Sequence, residues 1–140
     1  MKKQEISLLI ATEYFTQSCS QIQSRVNVAS ADGRTEERDV IAVWDTGSMY
    51  TGISKSLAER IGLKPLSWKQ PMRYADGTGD NANVYHIQIV FPLTGHRVDV
   101  CAFEFGDAAQ DVLIGMNIIR NGTFLLEPTA DGGARFTFTV

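Results

Sequence analysis

A chain of 140 residues has room for one domain with a real core, but not comfortably for two. Its composition, 44% hydrophobic and 21% charged, is that of an ordinary globular protein with no low-complexity tract. A net charge of −3, a pI near 5.3 and the lack of a basic cluster interleaved with aromatics argue against nucleic acid or an anionic membrane as partner.

The amino terminus begins Met1-Lys2-Lys3, but the apolar stretch Ile6 to Ala11 is short and flanked by Glu5 and Glu13. That is too weak for a signal-peptide core, and no segment reaches membrane-spanning length, so a cytoplasmic protein is expected. Ile6, Leu8 and Ile10 suggest a first strand, and Val26 and Val28 a clearer, half-buried one. The polar stretch Ala31 to Asp39, opened by Asp32-Gly33, reads as a turn or hairpin loop. Val40-Ile41-Ala42-Val43-Trp44 is a continuous apolar run, as in a strand buried on both faces.

One segment is convincingly helical. Ser54 can cap it, Leu57, Ala58 and Ile61 share a face, Gly62 sits where a left-handed C-cap belongs, and Pro65 prevents continuation. Strands then resume. Met72 to Phe91 has a glycine-rich centre, Asp76-Gly77-Thr78-Gly79-Asp80-Asn81, between two β-prone arms, which predicts a long hairpin. Arg97 to Phe105 follows as a strand, then the short buried strand Val112-Leu113-Ile114 and one helical turn ending at Asn121-Gly122. Thr123 to Leu126 and Arg135 to Val140 are expected to pair as a final hairpin. The class is all-β.

Two cysteines, Cys19 and Cys101, are expected as reduced and mostly buried thiols. With only His86 and His96 beside them there is no zinc-ligand pattern, and neither histidine sits in a nucleophile–base motif.

The chemistry concentrates in Asp45-Thr46-Gly47-Ser48, where a buried strand delivers an aspartate into a tight turn. A carboxylate placed there needs hydrogen bonds, which turn amides and the hydroxyls of Thr46 and Ser48 could supply. The plain alternative is an Asp-x-Gly turn in which Asp45 ties only its own backbone. Whether Met49, Tyr50 and Trp44 line a cleft or simply pack stays open.

From about Val26 to Leu126 the chain resembles the retroviral-type, single-lobe (retropepsin-like) aspartic proteases. Four features match in order: the Asp45-Thr46-Gly47-Ser48 turn after a buried strand, a short helix ending Ala58-Glu59-Arg60-Ile61-Gly62-Leu63, a glycine-rich flap at Ala75-Asp76-Gly77-Thr78-Gly79, and the run Asp111 to Ile119 containing Val112-Leu113-Ile114-Gly115. The resemblance implies a single-lobe acid-protease β-barrel with one short helix after the catalytic turn and a flap hairpin. Residues 1–140 would form one such domain, with residues 1–21 an N-terminal extension that has no counterpart in the pattern.

The activity implied is that of an aspartic endopeptidase without metal or organic cofactor, cutting extended peptide or protein segments. That chemistry needs two carboxylates sharing a proton, one to activate water and one to stabilise the oxyanion. The sequence holds a single such turn, since Asp76, Asp80 and Asp107 lie in loops without the preceding buried strand. The second Asp45 would therefore come from another copy, in a homodimer. By resemblance, Thr46 would lock the two turns across the dimer axis and Ser48 would bond the outer carboxylate oxygen. The flap would close over the substrate. The competing reading is a catalytically inactive retropepsin-like fold kept as a peptide-binding or dimerisation module.

Overall fold

The computed structural model describes residues 7–73, 76–106 and 110–140. In chain order the elements are β1 (Leu9–Phe15), β2 (Gln23–Ser30), β3 (Glu36–Trp44), β4 (Gly52–Ser54), α1 (Lys55–Arg60), β5 (Lys69–Arg73), β6 (Gly79–Phe91), β7 (His96–Phe105), β8 (Val112–Ile114), α2 (Met116–Ile119), β9 (Thr123–Pro128) and β10 (Ala134–Thr139). Six strands run in the order β2-β3-β8-β4-β7-β6, and β6 pairs back onto β2, which closes a barrel. β5 extends from β6 as the first arm of the expected hairpin, in the register Lys69↔Asn83 to Arg73↔Gly79. The final hairpin β9–β10 also forms as expected, and β1 pairs with β10 to complete a separate three-stranded sheet.

The barrel core follows from alternation. Val26 and Val28 of β2, Ile87 and Ile89 of β6, and Val112 and Ile114 of β8 are all fully or almost fully enclosed. Trp44 joins this core to the three-stranded sheet. Its ring lies 4.9 Å from that of Phe136, 5.0 Å from Phe138 and 5.8 Å from Phe91, and its indole N–H donates to Ser24 Oγ at 2.9 Å. Buried aromatics of this size contribute the largest single packing terms in a small core. The residue just before Asp45 is therefore among the most firmly held in the molecule.

The helix forms where its signals place it. Ser54 Oγ accepts from Leu57 N–H at 3.0 Å and itself donates to Asp111 Oδ1 at 2.7 Å. Gly62, with φ 65°, follows the last turn. Arg60 then bridges Glu37 and Asp111, both at 2.8 Å, so the helix ties the start of β3 to the approach to β8.

Three expectations need correction. The charged segment before Val40 is only partly a loop, because β3 already begins at Glu36. A bulge between Val26 and Val28 and the left-handed Asp39 (φ 57°), whose N–H is met by Asn27 Oδ1, break its alternation. The first strand lies later than expected, at Leu9–Phe15, so much of the N-terminal extension is built into the sheet with β10. Both cysteines are free but exposed: Cys19 sits in the loop after β1, where its thiol donates to the Gln21 carbonyl, and Cys101 is on an outward position of β7. Among the described residues, no helix is long and apolar enough to cross a membrane.

Glu13 of β1 is half-buried, opposite Phe136. Desolvation raises its pKa above the ordinary 4.5, opposed in part by the Ser24 hydroxyl. A raised carboxylate pKa means the folded chain binds the proton more tightly, so the ionised group costs stability above the folded pKa and nothing below 4.5. Glu13→Gln is expected to raise the melting temperature at pH 7 and to match wild type near pH 4, as thermal unfolding at the two pH values would check.

Candidate active site

β3 ends at Trp44, and the chain turns at once through Asp45-Thr46-Gly47-Ser48. The Asp45 N–H donates to the Ile114 carbonyl of β8 at 2.9 Å, which carries the parallel β3–β8 ladder one residue past the strand. The turn closes by Ser48 N–H to the Asp45 carbonyl at 3.2 Å. Asp45 is half-buried, and its Oδ1 accepts the Gly47 N–H at 2.9 Å. A Cβ on Gly47 would stand 3.2 Å from that same oxygen, so glycine keeps the carboxylate's surroundings open.

The expected role of Ser48 changes within the single chain. Its hydroxyl donates to the Tyr50 carbonyl at 2.7 Å, and the carboxylate takes the Gly47 amide instead. The reason is local. The chain bends back over residues 49–50, which brings that carbonyl within reach of Ser48 Oγ. Thr46 and Gly47 are exposed.

The turn is held by a group of contacts from α2 and from Thr51. The first residues of α2 donate to the turn's carbonyls: Met116 N–H to Ser48 at 2.7 Å and Asn117 N–H to Met49 at 3.0 Å. Thr51, fully buried, donates both its N–H (3.0 Å) and its hydroxyl (2.8 Å) to Asn117 Oδ1 and accepts the Gly115 N–H at 3.2 Å. Asn117 lies two residues beyond the Val112-Leu113-Ile114-Gly115 run. Its one sign in the sequence is a polar residue within the otherwise apolar helical turn Met116–Ile119. Asn117→Ala would leave two Thr51 donors without their acceptor in a buried setting and is expected to cost about 2–3 kcal/mol. Chemical denaturation would measure this.

Of the flap residues, Ala75 lies outside the described residues. At the tip, Asp76 accepts from the Thr78 hydroxyl at 2.7 Å and the Thr78 N–H at 2.9 Å. These bonds hold its carboxyl below the usual range. Gly77 is left-handed (φ 87°), and Gly79 opens β6 opposite Arg73. Residues 76–78 thus form a tight Asx-type turn that leads into β6.

Between the Asp45 turn and the first arm of that hairpin lies a cavity of about 690 Å³. Gly47, Ser48, Met49 and Tyr50 form one side, Gln70 to Arg73 another, and Phe103, Phe105 and Leu113 are further walls. Met49 and Tyr50 thus line the cleft, whereas Trp44 packs in the core. Asp45 stands beside this cavity, behind Gly47 and Ser48, and neither it nor Asp76, Gly77 or Thr78 is among its walls. The other half-buried aspartate among the described residues, Asp111, is occupied by Arg60 and Ser54. Neither histidine is among the cavity's walls: His86 is exposed on β6, 3.8 Å from Asp99, and His96 is half-buried at the start of β7.

This arrangement has known counterparts. The profile of the family described as gag-polyprotein putative aspartyl protease matches residues 22–121. Among solved structures, EIAV protease complexed with the inhibitor HBY-793 superposes with a TM-score of 0.56 at 10% identity, over 73% of this chain and 88% of that one. A retropepsin-like aspartic protease from Rickettsia conorii gives 0.55 at 14% identity, over 100% and 99%. The retroviral protease-like domain of Ddi1 from Leishmania major gives 0.50 at 16%, over 85% and 95%. No curated protein matches by sequence. At these identities the superpositions establish a shared fold, and the profile match spans the turn, the helix, the flap hairpin and the β8–α2 element. The chain belongs to the retropepsin-like aspartic protease family.

Proposed function

We propose that the chain is an aspartic endopeptidase that works as a homodimer, with one Asp45 from each copy forming the catalytic pair. The observation that carries this reading is the half-buried Asp45 carboxylate, which among the described residues accepts only the Gly47 N–H, beside a cavity walled in large part by Met49, Tyr50, Met72, Phe103, Phe105 and Leu113. In the dimer one Asp45 is ionised and draws a proton from the attacking water. The other is protonated and stabilises the developing oxyanion. Gly47 and Thr46, exposed at the turn, would meet the partner turn across the two-fold axis. The hairpin tip at Asp76 to Gly79 would cover an extended peptide and pair with its backbone.

The test combines two measurements. Cleavage of a peptide library should be blocked by a statine-type transition-state mimic. Specific activity should also rise with protein concentration in parallel with a monomer–dimer equilibrium seen by sedimentation, because a lone Asp45 cannot supply both acid and base. Activity that is constant down to concentrations where only monomer sediments contradicts the shared site. A strict monomer that binds peptides without cutting them would instead make the chain a peptide-binding module.

A further inference from the structure

The cavity beside the turn continues. A second cavity, of about 190 Å³, adjoins it and shares Tyr50, Gln70 and Phe103 as common walls. The strand registers explain the continuity. Val84 lies opposite Phe103, and Gln70 is opposite Ala82, so Gln70, Val84, Phe103 and Cys101 all project from one face of the β5–β6–β7 sheet. Trp68, 47% exposed just before β5, closes the far side.

Two features limit what can occupy this second cavity. Among the described residues no charged side chain lines it, whereas Arg73 lines the first. Its fixed polar groups are both neutral: the Gln70 amide, which donates to the Pro71 carbonyl, and Asn117, whose Oδ1 is consumed by Thr51 and whose amide nitrogen has no partner among the described residues. The half-exposed Trp68 indole lines this cavity together with Val84 and Phe103 and gives it an apolar wall.

An extended peptide places side chains of residues two apart on one face, roughly 7 Å from each other. We propose that the two cavities receive such a pair: a large apolar side chain beside the turn and an uncharged aliphatic side chain in the smaller cavity, with Trp68 the specificity-determining residue for the latter. The inference rests on the peptide-cleaving reading above for its substrate, and it names the sequence class that substrate belongs to.

The test uses peptides with a fixed large apolar residue at the first position and Leu, Val, Asp or Lys two residues away. Wild type should cleave the aliphatic members about tenfold faster or more in kcat/KM than the charged ones, the size of discrimination an apolar pocket supplies. Trp68→Ala should bring the ratio towards one while cleavage persists. A second readout needs no turnover. The chain has two tryptophans, and Trp44 is buried, so long-wavelength emission reports Trp68. In Asp45→Asn, the Leu peptide should shift that emission to the blue and the Lys peptide should not, and Trp68→Phe should remove the response. An unchanged preference in Trp68→Ala, or emission indifferent to the aliphatic peptide at saturation, overturns the assignment. If the emission shift is found but wild type cleaves nothing, the cavity assignment stands and the protease reading fails.

Discussion

Asp45→Asn is expected to lower kcat/KM for every cleaved peptide by about 10³-fold or more, with little change in melting temperature. The contrast between the two readouts follows from the turn's hydrogen bonds. Asn keeps an Oδ1 to accept the Gly47 N–H, the one bond the carboxylate makes among the described residues. The second carboxylate oxygen has no partner within the chain among the described residues, so its replacement by an amide nitrogen breaks nothing that holds the fold. What disappears is the ability to take a proton from water or to give one to the oxyanion. Each such proton transfer is worth about 10²–10⁴-fold. In a homodimer the substitution removes both groups at once. Steady-state kinetics with circular dichroism melts measures both quantities. Activity that survives the change would mean that Asp45 is not the catalytic residue.

The second large effect is on folding. Gly115→Ala would put a Cβ 2.4 Å from both the carbonyl carbon and the oxygen of Tyr50 and 2.9 Å from the Thr51 nitrogen. All three are backbone atoms, so no side chain can swing away. The strand end and the turn must separate instead. Separation strains the Gly115 N–H bond to Thr51 Oγ1 and the two bonds from α2 to the Ser48 and Met49 carbonyls. Overpacking in a filled interior costs about 1–3 kcal/mol, and the disturbed buried bonds add to it. The expected loss, about 3 kcal/mol or more, is a large share of a typical domain's 5–15 kcal/mol margin. Urea unfolding would measure it. A midpoint equal to wild type would show that β8 and the turn are less tightly apposed than described above.

The features legible in the sequence were those written in local pattern. The apolar run Val40 to Trp44 has to be an inner strand, and Ser54 and Gly62 bracket a helix whose apolar residues share one face. The paired arms around Asp76-Gly77 needed only turn chemistry and alternation. Features that depend on distant neighbours were not legible. Glu36 to Asp39 is polar because it faces outward, and the bulge beside it destroys the period that would have marked a strand. β1 is defined by β10, more than a hundred residues away. At the site, Asp45, Thr46 and Gly47 announced themselves as a string. The Thr51–Asn117 lock that supports them spans 66 positions and carries no motif. Ser48 was assigned to the carboxylate by resemblance, and a nearer carbonyl took its hydroxyl.

The central claim is that each chain carries half of one active site. Its most direct test is a crystal structure of the protein bound to a statine-type peptide. The account predicts one inhibitor per two chains, its hydroxyl between two Asp45 carboxylates about 3 Å apart on a two-fold axis. An inhibitor held against a single Asp45, or a dimer whose two Asp45 turns face away from each other, would contradict it.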